Sequence, residues 1–161
     1  MLIFFKIFKR DCNLILFIIS FNSSSSVEIH KINIDNFTST VIKSPNIWIL
    51  EYYSEMCGTC QEFYETWNSL TKSFEGVKFG RVNIDDKKGM ELAKQEKALE
   101  NAIPAVRLIY GKNKYFNIMI GTEEPLPNVN ELIKRIKKEI NKVSKKNDKK
   151  FFIRDEQSDL L

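Results

Sequence analysis

Apolar positions follow two different periods along this chain, and these periods predict its strands and helices. From Val27 to Ile34, apolar and polar residues alternate, which predicts a first strand. Residues 46–53 form an almost unbroken apolar and aromatic run, as expected of a strand that is buried on both faces. Three further runs predict strands at residues 77–84, 105–110 and 114–120, with a turn joining the last two.

Between the predicted strands, apolar residues recur at steps of three or four, which is the period of an amphipathic helix. This spacing predicts helices at about residues 35–43, 61–74, 85–99 and 125–143. In the second of these, Phe63, Trp67 and Leu70 belong to one apolar stripe, so we assign Trp67 to the core. The order β-α-β-α-β-α-β-β-α predicts an α/β fold, with a central mixed sheet, a parallel βαβ part, an antiparallel hairpin and helices on both faces.

The first 26 residues follow a different plan. Basic side chains precede an apolar run from Leu14 to Phe21, and small polar residues follow it. This order is typical of a secretory signal peptide, and the run is shorter than the roughly 20 apolar residues that span a bilayer. We expect cleavage within residues 22–26 and no stable membrane insertion afterwards. An uncleaved signal anchor is the alternative, because residues 2–8 are also apolar.

These patterns divide the chain into three segments. We expect residues 1–26 to be a signal peptide, residues 27–143 a single domain, and residues 144–161 a flexible tail. Lysine is frequent from Lys134 to Lys150, which is typical of a solvated surface. A contact arm and a divergent retrieval signal at the last four residues are the alternatives for the tail.

The composition is that of an ordinary globular domain. Hydrophobic residues make up 43% and charged residues 29% of the 161 residues, which is enough for one domain with one core. The formal net charge is +4, and removal of the signal segment, with three basic residues and one acidic residue, lowers this charge by two. Because nucleic-acid binding usually requires a much denser basic face, we expect no nucleic-acid partner.

The sequence Cys57-Gly58-Thr59-Cys60 carries the clearest candidate chemistry. Two cysteines at this spacing on the first turn of a helix can face each other and close into a disulfide. The free N–H groups and the helix dipole stabilise a thiolate on the first cysteine. Because the pair lies between a predicted strand and a predicted helix, the motif indicates a redox site.

Two other roles are compatible with this spacing. A structural zinc site usually has four Cys or His ligands, whereas the chain has three cysteines and one histidine, and Cys12 belongs to the predicted signal segment. We therefore predict no metal site. An inert structural disulfide stays open as an alternative, although the closure of a four-residue loop adds little stability.

The motif and its surroundings resemble the thioredoxin superfamily, and more closely the catalytic domain of protein disulfide isomerases. The resemblance spans about residues 27–143 and rests on the stretch from Tyr52 to Cys60, on Ile103-Pro104, and on Glu51, which lies where the family keeps a buried carboxylate. It implies a thioredoxin fold and thiol–disulfide exchange with protein substrates, in either the reducing or the isomerising direction. It implies no cofactor, but a redox partner whose identity stays open.

The resemblance and the chemistry of the residues together assign roles. Cys57 is the more exposed sulfur at the helix start and is expected to be the nucleophile, while Cys60 resolves the mixed disulfide. Burial of Glu51 in an apolar strand would raise its pKa and suit it to proton transfer with Cys60; the alternative is that Glu51 points to solvent. Pro104, if its peptide bond is cis, turns backbone groups toward the sulfurs and a substrate; an ordinary trans turn is the alternative.

Two positions beside the cysteines depart from the family pattern. Met56 replaces the usual Trp, and Thr59 replaces the His of disulfide isomerases. Because Thr59 supplies no charge, we expect a less acidic Cys57 and a more reducing disulfide than in a typical isomerase domain. The residues that the resemblance assigns to substrate binding are Met56, Gly58, Thr59, Ile103 and Pro104.

Together these features predict a thiol–disulfide oxidoreductase of the secretory pathway, in the lumen of the endoplasmic reticulum or secreted, as a monomer or as a subunit of a larger assembly. The alternative is a non-enzymatic thioredoxin-fold module that binds clients through the Pro104 groove or through residues 151–153. A peroxidase or glutathione-dependent member of the same fold is less well supported, because the sequence shows no separate peroxidatic site and no glutathione clamp.

Overall fold

The computed structural model describes residues 27–146 and 152–154. For residues 144–146 and 152–154 it describes the backbone only. The predicted signal peptide and most of the predicted tail therefore lie outside the described residues. The division of the chain into signal segment, domain and tail stays a prediction.

A five-stranded mixed sheet forms the centre of the domain. Its strands in chain order are β1 (Ile29–Lys31), β2 (Trp48–Tyr53), β3 (Lys78–Asn83), β4 (Ala105–Gly111) and β5 (Lys114–Met119). In space the order is β1-β3-β2-β4-β5, where β3 runs parallel to both β1 and β2, and β4 pairs antiparallel with both β2 and β5. The predicted parallel part and the predicted hairpin are both confirmed.

Helices cover both faces of this sheet. They are a π-helical turn at Thr38–Ile42, α1 (Gly58–Lys72), α2 (Lys87–Gln95) and α3 (Val129–Val143). One core lies beneath α1 and α3 and contains the fully buried Trp67, as predicted. The other core lies beneath α2 and the π-helical turn. The α/β architecture that the element order predicts is therefore confirmed, and it is the thioredoxin fold that the family resemblance implies.

The strand β2 contributes side chains to both cores. Trp48, Leu50 and Tyr52 belong to the core beneath α2, whereas Ile49 belongs to the core beneath α1 and α3. Because side chains alternate between the two faces of a strand, Glu51 lies on the same face as Ile49. The fold thus places one buried carboxyl group on the sheet face that α1 covers.

A buried arginine fixes the end of α2. This helix ends at Gln95, before its predicted end near residue 99, and Lys97 follows with a φ of 52°, a left-handed conformation that does not continue a helix. Arg107 on β4 is 3% exposed and donates hydrogen bonds to the backbone oxygens of Glu96 (2.5 Å) and Lys97 (2.7 Å). These bonds pair carbonyls at the helix end and anchor the loop that leads into β4.

The first strand and the last helix also have boundaries that differ from the sequence predictions. Only Ile29–Lys31 of the predicted first strand pairs with β3, at the edge of the sheet. The last helix begins at Val129 rather than at Pro125. The residue before a proline is disfavoured in the helical region, so Leu126, which precedes Pro127, does not start the helix.

Two short strands that the sequence patterns do not predict follow α3. They are β6 (Ser144–Lys146) and β7 (Phe152–Arg154), which pair antiparallel in a separate two-stranded sheet. The expected flexible tail therefore contains paired backbone within its described residues. The proposed retrieval signal at the last four residues lies outside the described residues.

Candidate active site

The cysteine motif lies where β2 leads into α1. Cys57 is the N-cap residue of α1, and its sulfur accepts a hydrogen bond from the backbone N–H of Cys60 at 3.2 Å. Asp85, which follows β3, holds the turn that precedes Cys57. Its carboxylate accepts hydrogen bonds from the Ser54 hydroxyl (2.6 Å) and the Glu55 N–H (2.7 Å). The turn is thereby attached to the sheet, and the Cys57 sulfur is held at the N-terminus of a helix.

The two sulfurs of the motif are close together and differ in exposure. The Cys60 thiol donates a hydrogen bond to Cys57 Sγ at 2.6 Å, and Thr59 Oγ1 lies 3.1 Å from the same sulfur. Both cysteines are free thiols; Cys57 is partly exposed, whereas Cys60 is buried. An incoming disulfide can therefore reach Cys57 first, in agreement with the roles expected for the two cysteines.

The surroundings separate the acidities of the two thiols. Desolvation opposes ionisation of Cys57, but hydrogen bonds from Cys60 and Thr59 outweigh this effect and lower the pKa of Cys57 below its ordinary value. Burial and the interaction with Cys57 raise the pKa of Cys60 to about 12. At neutral pH, Cys57 therefore ionises to a thiolate more readily than Cys60, and Cys60 requires a base before it can attack.

Glu51 is fully buried, so the alternative in which it points to solvent is wrong. Its Oε2 accepts a hydrogen bond from Nε of Arg81 at 2.5 Å, whereas Oε1 has no hydrogen-bond partner within the described part of the chain. Burial raises the pKa of Glu51 to about 7, although the charge of Arg81 acts in the opposite direction. The negative charge of the ionised Glu51 carboxylate is also a minor cause of the raised pKa of Cys60.

Arg81 is a candidate functional residue that the sequence patterns do not identify. It lies directly opposite Glu51 in the pairing of β2 with β3. Its guanidinium carbon lies 3.7 Å from the centre of the Tyr53 ring and 5.4 Å from that of the Tyr64 ring. From sequence alone Arg81 is one polar residue of a predicted strand, and only the register between the two strands identifies the carboxylate that it contacts.

A cavity of about 350 Å³ connects Cys60 and Arg81 with the surface. Its lining includes the buried Cys60, the partly exposed Arg81 and the exposed residues Glu55 and Tyr64. Water in a cavity of this size and polarity can reach the Cys60 thiol. The buried sulfur therefore has a route for exchange of its proton with solvent.

The loop before β4 approaches the nucleophile from the other side. The Ile103–Pro104 peptide bond is cis, as the family resemblance implies, so the trans alternative is wrong. The Cys57 thiol is 4.0 Å from the backbone oxygen of Ile103. A Cβ atom on Gly121 would lie 2.6 Å from backbone atoms of Ile103, so only glycine allows the segment after β5 to pack this closely against the loop.

The other residues expected to bind substrate surround Cys57. Met56 is 84% exposed, which leaves an apolar, flexible side chain beside the reactive sulfur. Among residues 27–146, no heavy atom lies within 4 Å of the position that a Cβ atom of Gly58 would occupy, so this part of the chain leaves the space above the motif open. The structure thus places Met56, Gly58 and Thr59 beside Cys57 at the start of α1, with Ile103 opposite, whereas the ring of Pro104 is buried.

Two further features are absent from the described residues. No group of three or more His, Cys, Asp or Glu residues there is arranged to hold a metal ion. None of the helices in the same part of the chain is long and apolar enough to cross a membrane.

Comparison with known proteins gives one family and one fold. The family model described as Thioredoxin matches residues 28–138. Protein disulfide-isomerase 2-3 of Arabidopsis thaliana is 40% identical over 63 residues, which is 38% of this chain and 14% of that protein. Protein disulfide isomerase-like 2-3 of Oryza sativa subsp. japonica is 32% identical over 92 residues, 56% of this chain and 19% of that protein. The chain thus spans less than a fifth of the length of these relatives.

Solved structures support the fold. The Trx4 domain of ERdj5 superposes with a TM-score of 0.57 at 18% identity, over 73% of this chain and 100% of that chain. Thioredoxin f2 of Chlamydomonas reinhardtii superposes with a TM-score of 0.52 at 22% identity, over 68% of this chain and 92% of that chain. At these identities the likeness concerns the fold alone.

Proposed function

Because the chain belongs to the thioredoxin family, we propose that it is a protein-disulfide oxidoreductase that uses Cys57 and Cys60 as its reactive dithiol. One observation carries this proposal: at the N-terminus of α1, an accessible Cys57 sulfur lies 2.6 Å from the buried Cys60 sulfur. Two thiols this close can exchange a disulfide between them and a substrate without movement of the backbone.

The proposed reaction begins at Cys57. Its thiolate attacks one sulfur of a substrate disulfide, the substrate S–S bond breaks, and the second substrate sulfur leaves as a thiolate. The Cys60 thiolate then attacks Cys57 Sγ in the mixed disulfide and releases the first substrate sulfur. The substrate gains two electrons and the protein holds a Cys57–Cys60 disulfide, which an unidentified redox partner reduces. The reverse sequence transfers the disulfide to a substrate dithiol.

Glu51 is proposed to accept the proton of Cys60 during the second step. A thiol with a pKa of about 12 ionises too rarely near neutral pH, and a carboxyl group with a pKa of about 7 is well matched to take its proton. Oε1 of Glu51 has no hydrogen-bond partner among the described residues and is therefore available to accept this proton. Arg81 holds the other oxygen and so fixes the orientation of the carboxylate.

The substrate chain is proposed to lie across the exposed surface around Cys57. Met56 and Thr59 flank the sulfur on α1 and its preceding turn, and Gly58 leaves the approach open. The cis Ile103–Pro104 bond lies on the opposite side, where backbone groups can pair with an extended peptide.

The assay for this proposal is the catalytic reduction of a protein disulfide. With dithiothreitol as donor, at a concentration that reduces the substrate slowly by itself, each molecule of the full-length protein should reduce many substrate disulfides. A rate equal to that of the donor alone would contradict the proposal. If such an inactive protein still bound unfolded clients, the non-enzymatic thioredoxin-fold module would be the better account.

Replacement of Glu51 by glutamine should slow the resolving step by about thirtyfold at pH 8. General bases typically contribute about a hundredfold or more, and here water in the cavity can take part of that role. In the unsubstituted protein the rate should rise through pH 7, where Glu51 ionises, and then level off. Single-turnover release of thiol from a preformed mixed disulfide measures this step.

The matched control for this experiment is Glu65→Gln, which removes an exposed carboxylate from α1. The control should keep the inflection near pH 7, whereas Glu51→Gln should lack it. An inflection that survives in the Glu51→Gln protein would show that another group accepts the proton.

We also propose that the protein follows the secretory route, to the lumen of the endoplasmic reticulum or beyond. The signal-like order of residues 1–26 supports this location. An oxidising compartment is also where protein thiol–disulfide exchange is in demand.

A further inference from the structure

A second depression, of about 430 Å³, lies beside the reactive cysteine, on the side away from the Arg81 cavity. We call it the acidic groove. It lies between the first turns of α1, represented by Thr59, Glu62 and Phe63, and the segment of residues 121–128 that connects β5 to α3. The buried Phe63 ring, together with Pro125, Leu126 and Pro127, gives the groove an apolar lining.

The acidic groove is continuous with the site of disulfide exchange. Thr59 lines the groove, and its hydroxyl lies 3.1 Å from Cys57 Sγ. At the same end, Gly121 lines the groove and packs against the backbone of Ile103. A peptide whose cysteine is bonded to Cys57 can therefore place its neighbouring side chains in the groove.

The charged residues that line the acidic groove are all carboxylates. Glu123 is neutralised, because Arg135 lies 2.8 Å from its Oε2. Glu62 and Glu124 are exposed, and neither forms an ion pair with any of the described residues. No lysine or arginine of the described residues lines the groove. Two uncompensated negative charges thus stand at the rim of an apolar depression, beside a nucleophile.

We propose that the acidic groove selects protein substrates with lysine or arginine next to the reacting cysteine. This inference rests on the proposed function and specifies its substrate class. The aliphatic stem of a lysine or arginine can lie on Phe63 and Leu126 while its cationic end pairs with Glu62 or Glu124. Complementary charge also increases the rate of encounter with such substrates at low ionic strength.

The test compares three peptide disulfides of equal length that carry lysine, glutamine or glutamate beside the cysteine. The full-length protein reduces each one, and kcat/KM is measured at low and high salt. One exposed ion pair at the upper end of the usual range, about 1 kcal/mol, predicts that the lysine peptide has a kcat/KM about fivefold above the glutamine peptide at low salt. The advantage should shrink at high salt, and the glutamate peptide should be the poorest substrate.

The Glu62→Gln/Glu124→Gln double variant tests the residues themselves. In this variant the ratio between the lysine and glutamine peptides should fall below twofold. The matched control is Glu65→Gln/Glu75→Gln, which removes two exposed carboxylates that do not line the groove and changes the net charge by the same amount. The control should keep the full ratio.

The outcomes separate this inference from the proposed function. A ratio of twofold or more that disappears only in the Glu62/Glu124 variant supports it. A smaller ratio in the unsubstituted protein overturns it, as does a ratio that survives in that variant or disappears equally in the control. Reduction of bis(2-hydroxyethyl) disulfide, which is small and neutral, reports on the dithiol alone. If that reaction also fails in the unsubstituted protein, the proposed function itself is contradicted.

Discussion

Replacement of Cys57 by serine should reduce the turnover of a protein disulfide to the rate of the donor alone. A serine hydroxyl cannot form the mixed disulfide, and the Cys60 thiol cannot substitute for Cys57, because it is buried and its pKa is raised to about 12. The loss should therefore exceed a thousandfold, the scale on which removal of a covalent nucleophile acts. Turnover in the assay with dithiothreitol measures it, and circular dichroism checks that the fold is intact.

Cys60→Ser is the matched partner of this variant and should fail at a different step. Its Cys57 can still attack, but the resolving sulfur is absent, so the protein should accumulate as a mixed disulfide with its substrate. Non-reducing electrophoresis shows this adduct, and mass spectrometry locates the bond at residue 57. Turnover by Cys57→Ser, or an adduct at a different residue, would remove the basis of the proposed mechanism.

The stability of the reduced protein should fall by about 3 kcal/mol between pH 4.5 and pH 8 through Glu51 alone. Folding raises the pKa of this carboxyl from 4.5 to about 7, so the folded state binds a proton more tightly than the unfolded state. The stabilisation that comes from protonated Glu51 is complete below pH 4.5 and is lost as the pH rises through 7. Each unit of the pKa shift corresponds to about 1.4 kcal/mol of unfolding free energy.

Glu51→Gln should lack this part of the pH dependence. Chemical denaturation of both proteins at pH 4.5, 6, 7 and 8, with the cysteines kept reduced, gives the two curves of unfolding free energy. They should diverge as the pH rises, in favour of the glutamine variant. Glu65→Gln, an exposed control on α1, should follow the unsubstituted protein. Parallel curves for Glu51→Gln and the unsubstituted protein would mean that Glu51 keeps an ordinary pKa in the folded state.

The two kinds of prediction for Glu51 address different properties of one group. The same burial that disfavours the ionised carboxylate in the folded state raises its pKa into the range where it can exchange a proton near neutral pH. The protein thus loses stability at the position where the proposed mechanism needs a base. Arg81 limits this loss, because its charge and its hydrogen bond favour the ionised form.

Local patterns of the sequence were sufficient to predict the central sheet, the helices that cover it and the position of the Cys57–Cys60 pair. The continuous apolar run of β2 correctly indicated burial on both faces, and the position of Glu51 within this run indicated a buried acid. The CxxC spacing correctly placed Cys57 and Cys60 at the start of a helix. These features depend on the period of side chains along one element, which is present in the sequence.

Features that depend on contacts between distant segments could not be obtained in this way. Arg81 is identified as the partner of Glu51 by the register of β2 with β3, and Asp85 by its bonds to the turn before Cys57. The end of α2 depends on Arg107, which approaches from β4. The acidic groove likewise combines α1 with residues more than 50 positions later in the chain. No local period of the sequence records such pairings.

The most direct test of the central claim is the redox equilibrium of the Cys57–Cys60 pair. The protein is equilibrated in glutathione buffers of graded ratio, free thiols are alkylated, and the peptide that contains both cysteines is weighed by mass spectrometry. We predict that both cysteines lose and regain their thiols together, with a midpoint more negative than the roughly −180 mV of protein disulfide isomerase, because Thr59 supplies no cationic imidazole. A pair that stays reduced across the whole range, or a Cys57 that takes up glutathione without closing onto Cys60, would contradict the account.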